Sequence, residues 1–287
     1  MGARDRPGDP GHRVRVSKAA SGDTIGVVVP TLNCAAYLTD TLSCLRRVRD
    51  VGQIVVADSG STDGTLDIAR AAGVTVFSDA PPGLYPAINA GIRQLTTPWI
   101  TYLNGDDLLQ PAGMERLFSH RDGYDVVYGP VDFITADGGF IHCWHSARPR
   151  DLLPLFRAGV SPLLQQGTLF RRDLFDALGG FCERWRFVSD ADFWWRAAES
   201  GARFHGIGHP PVASFRMHPD QLSQIHKRRM VDEHREMVES HGCRPGMLGS
   251  RWAIARYRAA HWRNYLVRVL RKRDLSGSFR LVGSYEF

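Results

Sequence analysis

Short apolar runs alternate with helical segments from Ile25 onwards, and this alternation constrains the fold more than any other feature of the chain. The runs IGVVV, QIVVA, VTVF and WITYL begin at residues 25, 53, 74 and 99. Helical stretches separate them: one opened by Asn33, one after STDGT and one through 84–95. This βαβ order predicts an α/β fold, in which a mostly parallel sheet is flanked by helices. The hydrophobic fraction of 43% is sufficient for a buried core.

The second part of the chain has a looser pattern. After about Gly129, the short strands FIHCW and QQGTLF, a helix over 190–200 and the strand SFRMH at 214–218 predict an α+β arrangement. From Gln221 onwards the pattern is helical. An apolar stripe at helical spacing is formed by Trp252, Ala255, Ala259, Trp262, Leu266 and Leu270.

Residues 251–280 carry most of the excess positive charge. They contain nine Lys or Arg against one Asp, a balance of +8, whereas the whole chain carries +6. A near-neutral body with one basic segment predicts a local anionic partner such as lipid headgroups, and no nucleic acid. A solvated helix face would produce the same charge pattern and is the alternative.

Cysteine usage and hydropathy indicate the compartment. The five cysteines are odd in number and show no C-x-x-C spacing, so they predict neither a disulfide framework nor a zinc site. No apolar run approaches the roughly 18 residues that span a bilayer. Residues 1–23 are charged and rich in Gly and Pro rather than signal-like. We therefore expect a cytoplasmic protein with a disordered tail over 1–23.

Polar side chains cluster just after the predicted strands. Because ligands of open α/β sheets bind beyond the carboxyl ends of the strands, this placement predicts one site along one edge of the sheet. Its candidate residues are Thr31, Asn33, Asp58, Ser59, Asn104, Asp106 and Asp107.

The runs VVVPTLN, VVADSGSTDGT, GLYPAINAGI and LNGDD, followed by VSDADFWWRAAESG, resemble the family 2 glycosyltransferases in order and spacing. The resemblance covers residues 25 to about 218. It implies the GT-A type of fold, with a Rossmann-like sheet and here a C-terminal helical extension. It also implies inverting transfer of a sugar from a UDP-sugar donor to a hydroxyl acceptor, assisted by Mn²⁺ or Mg²⁺.

The resemblance also implies a division of the chain and an acceptor. A nucleotide-sugar-binding half over 24–129 would precede an acceptor-binding half over 130–220, and a helical extension would occupy 221–287. Acceptors in this family are often cell-envelope or capsule glycans, or lipid-linked ones. A lipid-linked acceptor would suit peripheral membrane contact through 251–273, on the inner face of the membrane.

The first three motifs supply the predicted contacts with the sugar-nucleotide donor. Pro30 fixes the turn after the first strand, and Thr31 and Asn33 follow it. Asp58 matches the residue that contacts the base or ribose in the family, although a turn or cap role is the alternative. In GLYPAINAGI, Tyr85 and Asn89 lie four residues apart on one helix face at the edge of the donor site, and a packing role for Tyr85 is equally open.

The acidic turn departs from the family pattern. The usual D-x-D is Asn104-Gly105-Asp106 here, followed by Asp107. Asp106 keeps the position of the metal ligand, and Asn104 is expected to hold the ribose, with weaker metal affinity as the consequence. Asp107 is a substrate-binding candidate whose alternative is an Asx-turn. His218 is expected to ligate the metal or a phosphate, with a surface histidine as the alternative.

The run at 189–196 supplies the catalytic base. By resemblance Asp190 deprotonates the acceptor hydroxyl, and Asp192 is its rival, because the two carboxylates cannot face the same way on a helix. Trp194 is a candidate for stacking on a sugar face, and core packing is the alternative.

Two other functions compete with sugar transfer. A catalytically weak or inactive nucleotide-sugar-binding module is suggested by Asn104 and by Pro81, which stands in a stretch where many relatives carry an Asp. A nucleotidyltransferase is the third candidate, but the chain lacks a convincing Gly-rich triphosphate loop.

Overall fold

The computed structural model describes residues 24–243, 248–262 and 266. The predicted disorder of residues 1–23 falls outside this range. Residues 263–265 and 267–273 of the predicted membrane-contacting segment, including Leu270, also lie outside it.

The strands of the described chain form two sheets. They are β1 Ile25–Thr31, β2 Val51–Asp58, β3 Thr75–Phe77, β4 Trp99–Tyr102, β5 Leu108–Leu109, β6 Val126–Tyr128, β7 Val131–Thr135, β8 Phe140–Trp144, β9 Thr168–Arg171, β10 Phe204–Gly206 and β11 Ala213–Met217. A central seven-stranded sheet has the order β10-β6-β9-β4-β1-β2-β3, and a four-stranded sheet has the order β5-β11-β7-β8.

The central sheet is mostly parallel, as the βαβ order predicts. Strand β1 pairs in parallel with β2 and β4, and β9 is the antiparallel exception between β4 and β6. Every residue of β1 is buried. Successive side chains point to opposite faces, so Val28 joins one hydrophobic cluster while Val27 and Val29 join the other. Burial on both faces explains why this strand is a continuous apolar run.

Helices cover both faces of this sheet. They are α1 Ala35–Arg47, α2 Thr65–Ala71, α3 Leu84–Gln94, α4 Pro111–Ser119, α5 Pro149–Arg157, α6 Arg172–Ala177, α7 Ser189–Glu199, α8 Leu222–Ile225, α9 Lys227–Ser240 and α10 Leu248–Ala260. Among the described residues, every helix is too short or too polar to span a bilayer.

The second part of the chain contributes strands to both sheets: β7, β8 and β11 form most of the four-stranded sheet. Strands β9 and β10 belong to the central sheet, next to β6. Segments from both sides of the predicted 129/130 division therefore share one sheet. The division itself stays a prediction.

Helix α10 contacts the body through Tyr257 and Ile254. Tyr257 is 7% exposed, and its hydroxyl donates a hydrogen bond to the carbonyl oxygen of His145 at 3.1 Å. The apolar stripe lies elsewhere: Trp252 is 77% exposed, and Trp262 and Leu266 are also exposed. The described part of the stripe therefore faces solvent.

Candidate active site

One large cavity lies at the carboxyl ends of the central strands, with a volume of about 1280 Å³. Its wall combines the segments after β1 and β4, the start of α3, the first turn of α7 and the segment after β11. Nine of the predicted site residues line it: Pro30, Thr31, Asn33, Ser59, Tyr85, Asn104, Asp106, Asp190 and His218. The other four predicted residues, Asp58, Asn89, Asp107 and Trp194, are buried outside the lining and have structural contacts.

The two predicted metal ligands are in direct contact. Nε2 of His218 lies 2.8 Å from Oδ2 of Asp106, although the residues are 112 positions apart. His218 is 6% exposed, and its ring packs on Tyr37 with 4.7 Å between ring centroids. The surface role that the sequence left open for His218 is therefore wrong.

Asp107 holds the acidic turn in shape. It is fully buried, and its oxygens accept hydrogen bonds from Nδ2 of Asn104 at 3.2 Å, Nε2 of Gln166 at 3.0 Å and the backbone N–H of Arg216 at 2.9 Å. Burial and the neighbouring Asp106 raise the pKa of Asp107 well above its usual value, against the opposing effect of these donors. The structure contradicts the predicted substrate contact of Asp107, because no part of its carboxylate reaches the cavity.

Arg216 supports the same turn and was missed by the sequence analysis. Its guanidinium donates to the carbonyl oxygen of Asp106 at 2.9 Å and to that of Ala136 at 2.6 Å, and it pairs with Asp40 at 3.2 Å. Arg216 and His218 lie two residues apart along the strand direction of β11, so they project to the same side. That spacing in SFRMH was the available signal.

Asp58 ends β2 and organises the loop that follows. Its carboxylate is fully buried and accepts hydrogen bonds from Thr31 Oγ1, the hydroxyl and N–H of Ser61, and the N–H of Gly60. Desolvation opposes ionisation, but these donors outweigh it and lower the pKa of Asp58. The structure therefore gives Asp58 the turn role that the sequence left open, and its contact with the donor stays a prediction.

Asn33 connects the first strand end to this loop. It has a positive φ of 55°, a conformation that Asn tolerates better than most residues. Its Oδ1 accepts the N–H of Thr62 at 2.9 Å, and its own N–H donates to Ser61 Oγ at 2.8 Å. Asn33 stays exposed at the cavity edge, so its polar side chain remains accessible from the cavity.

Tyr85 and Asn89 share one helix, but only Tyr85 reaches the cavity. Asn89 is 5% exposed and binds the 181–183 segment: its side chain exchanges hydrogen bonds with the backbone of Phe181 at 2.8 and 3.0 Å. It also donates to Glu183 at 3.0 Å. The structure thus contradicts a donor contact for Asn89.

Asp190 and Asp192 have opposite environments. Oδ1 of Asp190 accepts a hydrogen bond from the Tyr85 hydroxyl at 2.9 Å, and the carboxylate lines the cavity. Burial raises the pKa of Asp190. Asp192 points away and pairs with Arg196 at 2.7 Å and with His241 at 3.0 Å. These partners outweigh desolvation and lower the pKa of Asp192, so its carboxylate is committed to a structural ion pair.

Trp194 packs in the hydrophobic core. It is 1% exposed, and its ring contacts Phe170 and Phe193 at centroid distances of 5.3 and 5.0 Å. Stacking on a sugar is therefore contradicted for Trp194, and core packing, the alternative, is correct.

The residues around Asp106 fit a divalent cation. Oδ1 of Asn104 is buried and accepts no hydrogen bond within the described chain. An amide oxygen, a carboxylate and an imidazole are a ligand set that Mn²⁺ accepts. The free oxygen of Asn104 is the observation that favours a bound ion at this turn.

Comparison with known proteins gives the family. The model described as "Glycosyl transferase family 2" matches residues 26–179, more than half of the chain. A PGL/p-HBAD biosynthesis glycosyltransferase of Mycobacterium tuberculosis is 32% identical over 200 residues, which cover 66% of this chain and 75% of that protein. A second, uncharacterized glycosyltransferase of the same organism is 28% identical over 166 residues, covering 53% and 75% of the two chains.

Solved structures share the fold at low sequence identity. S. aureus TarS 1-349 in complex with UDP-GlcNAc has a TM-score of 0.59 at 17% identity, covering 90% of this chain and 76% of that one. The mannosyltransferase PcManGT from Pyrobaculum calidifontis, in complex with GDP-Man and Mn²⁺, has a TM-score of 0.58 at 20% identity, with coverage of 96% and 79%. In another TarS 1-349 structure the match spans 65% of that chain. The predicted α/β fold of GT-A type is confirmed, and by the match to the family model and by its relatives this chain belongs to the family 2 glycosyltransferases.

Proposed function

We propose that this chain transfers a sugar, with inversion, from a UDP-sugar to a hydroxyl acceptor. The observation that carries the proposal is that the Asp106–His218 pair and Asp190 line the same cavity. An inverting transfer needs two separate acidic sites, one at the leaving diphosphate and one at the attacking hydroxyl.

Asp190 is the proposed general base. Its carboxylate takes the proton of the acceptor hydroxyl while the oxygen of that hydroxyl attacks the anomeric carbon. The bond from that carbon to the diphosphate breaks, and its electron pair stays with the diphosphate oxygen, so one displacement inverts the configuration. The hydrogen bond from Tyr85 keeps the carboxylate in position, and the raised pKa of Asp190 makes it a better proton acceptor.

Asp106, His218 and Asn104 are the proposed ligands of Mn²⁺ or Mg²⁺. When bound, the ion neutralises the charge that develops on the diphosphate. Arg216 and Asp107 hold the turn that presents these ligands, and Arg186 adds a positive charge to the cavity wall.

The donor is tested by thermal stabilisation, because a ligand that binds only the folded state raises the unfolding temperature. The structurally similar proteins carry different nucleotides, UDP-GlcNAc in one and GDP-Man in the other. A panel of UDP- and GDP-sugars with Mn²⁺ therefore decides between the two bases. We expect stabilisation by a UDP-sugar, and stabilisation by GDP-sugars alone would contradict the proposed donor.

Turnover is tested with two variants. We expect Asp190→Asn to lower the rate of sugar transfer, or of UDP release, by a factor of about 10² to 10⁴. Its affinity for UDP should not change. Asp192→Asn, which breaks the pair with Arg196, is expected to lower stability but to retain turnover per folded molecule. The reverse result would identify Asp192 as the base, and absence of turnover in the wild-type protein with every donor would favour a binding module.

We further propose a glycan or lipid-linked acceptor and attachment to anionic membranes through residues 251–273, which include most of α10. The wall of the cavity includes the apolar residues Leu163, Met230 and Ile254. The exposed Trp252 and Trp262 would supply interfacial contacts.

Co-sedimentation with anionic vesicles at low salt tests this attachment. Trp252→Ser with Trp262→Ser should abolish binding, whereas binding unchanged by the double substitution would contradict it. Point substitutions are preferable to truncation at Gly249, because truncation would also remove the buried Tyr257.

A further inference from the structure

Three potential metal ligands meet on the side of the fold where β8 ends. The Sγ of Cys143 and one imidazole nitrogen each of His145 and His209 lie within 4.8 Å of one another. Cys143 and His145 are two residues apart in extended chain, so they project to the same side. His209 comes from the loop before β11. The sequence gives no sign of this cluster, because its third member is 64 residues from the second.

We propose that Cys143, His145 and His209 form a second metal site, for a thiophilic divalent ion of the zinc class. One thiolate and two imidazoles are a zinc ligand set, which leaves a fourth tetrahedral position for water. Mg²⁺ and Mn²⁺ prefer oxygen ligands, so this site and the Asp106–His218 pair select different ions. Binding breaks the Sγ–H bond of Cys143, forms the metal–sulfur bond and releases the proton to solvent.

The surroundings of the cluster favour a cation. Asp132 stands directly opposite Cys143 in the β7–β8 pairing and adds a negative charge next to the thiol.

The site would strengthen one wall of the active-site cavity. The carbonyl oxygen of His145 accepts the hydrogen bond from Tyr257, and the ring of His261 stacks on that of His145 with 6.2 Å between centroids. Tyr257 lines the cavity. A bound ion would therefore fix the β8 end and the 209 loop together and, through Tyr257, support the position of α10.

Titration of the chelator-treated, full-length protein with Co²⁺ tests the proposal. A tetrahedral Co²⁺ site with one thiolate has visible d–d bands and a near-ultraviolet sulfur-to-metal charge-transfer band. We expect both to saturate at one equivalent and to disappear when Zn²⁺ is added. Cys143→Ser should abolish the charge-transfer band, whereas Cys182→Ser, which changes a half-buried cysteine outside the cluster, should leave it intact.

Two further variants keep the test decisive if Cys143→Ser fails to fold. His209→Gln alters an exposed loop residue, and it should weaken Co²⁺ binding by more than about tenfold and remove the rise in unfolding temperature caused by Zn²⁺. Asp106→Asn should keep both signals, since it alters only the proposed catalytic ion site. No charge-transfer band in the wild-type protein, a band that survives Cys143→Ser, or loss of the band in Asp106→Asn would each overturn the proposal.

Discussion

Asp190, the proposed general base, illustrates at the scale of one residue how a buried carboxylate lowers stability. Burial raises its pKa, so the folded protein binds the carboxyl proton more tightly than the unfolded chain does. The free energy of unfolding therefore falls as the pH rises through the raised pKa. Wherever the carboxyl group is ionised, the folded state carries a charge in a site that favours the neutral form.

Asp190→Asn should accordingly unfold at the same or a higher temperature than the wild-type protein at pH 7 to 8, even though its turnover is lost. The difference should shrink as the pH falls, and it should vanish below the usual carboxyl pKa, where Asp190 is protonated in both states. Thermal unfolding at several pH values measures this. A variant less stable than wild type at pH 8 would show that the hydrogen bond from Tyr85 to the ionised carboxylate outweighs its desolvation.

Asn104→Asp should make the acidic turn more dependent on metal. The new carboxylate would face Asp107 Oδ2, to which Asn104 now donates a hydrogen bond, with Asp106 in the same turn. Like charges at this distance repel, so we expect a lower unfolding temperature in chelator. The rise in unfolding temperature on adding Mn²⁺ should be larger than in the wild-type protein, because Mn²⁺ gains a carboxylate ligand.

Differential scanning fluorimetry in chelator and in Mn²⁺ checks this prediction. Asp106→Ala is the matched control, and it should lose most of the rise caused by Mn²⁺. An equal rise in unfolding temperature in the wild-type protein, Asn104→Asp and Asp106→Ala would mean that the ion binds elsewhere.

At the scale of elements, the close packing of α4 on the loop before β11 depends on a glycine. A Cβ built on Gly113 would lie 1.8 Å from the carbonyl oxygen of Pro211. Because that neighbour is backbone, it cannot rotate away as a side chain would. The same loop carries His209 and leads into β11, which bears Arg216 and is followed directly by His218.

Gly113→Ala should therefore destabilise the fold by about 1 to 3 kcal/mol, although Ala is the better helix former. Gly208→Ala, in the same loop as Pro211, is the control. A Cβ there meets nothing within 4 Å, so a change of less than about 0.5 kcal/mol is expected. Urea unfolding of both variants measures the difference, and equal stabilities would mean that the loop yields at little cost.

At the scale of the whole molecule, a buried histidine makes the free energy of unfolding depend on pH in the acidic range. His234 in α9 is 3% exposed, and its Nε2 lies 3.2 Å from Ser161 Oγ. Burial lowers the pKa of His234 from 6.5 to about 4. Between pH 6.5 and pH 4 the imidazole of His234 is protonated in the unfolded chain but neutral in the folded protein. The free energy of unfolding therefore falls as the pH drops through this range.

The contribution of His234 to this acid loss is on the order of 3 kcal/mol. In His234→Gln the free energy of unfolding should fall by that much less between pH 6.5 and pH 4 than it does in the wild-type protein. Other histidines with lowered pKa act in the same direction in both proteins, so the difference between the two curves isolates His234. Urea unfolding across this pH range checks it, and parallel curves would contradict the assignment.

The sequence by itself determined the order of elements and the edge at which the site lies. Both follow from local patterns: apolar runs of strand length, helical spacing between them, and polar residues placed after strands such as β1 and β4. The family resemblance added the expectation that Asp190 and Asp106 belong to one site, and both line the cavity.

Only the tertiary structure decided which of several chemically equivalent carboxylates faces the cavity. Asp58, Asp107 and Asp192 are buried, and they are held by partners that include Thr31, Gln166, the backbone of Arg216, and His241. Most of these partners come from distant parts of the chain, so no local pattern contains them. The same reason hid the Cys143, His145 and His209 cluster and the core position of Trp194, because burial and coordination depend on which distant segments the fold brings together.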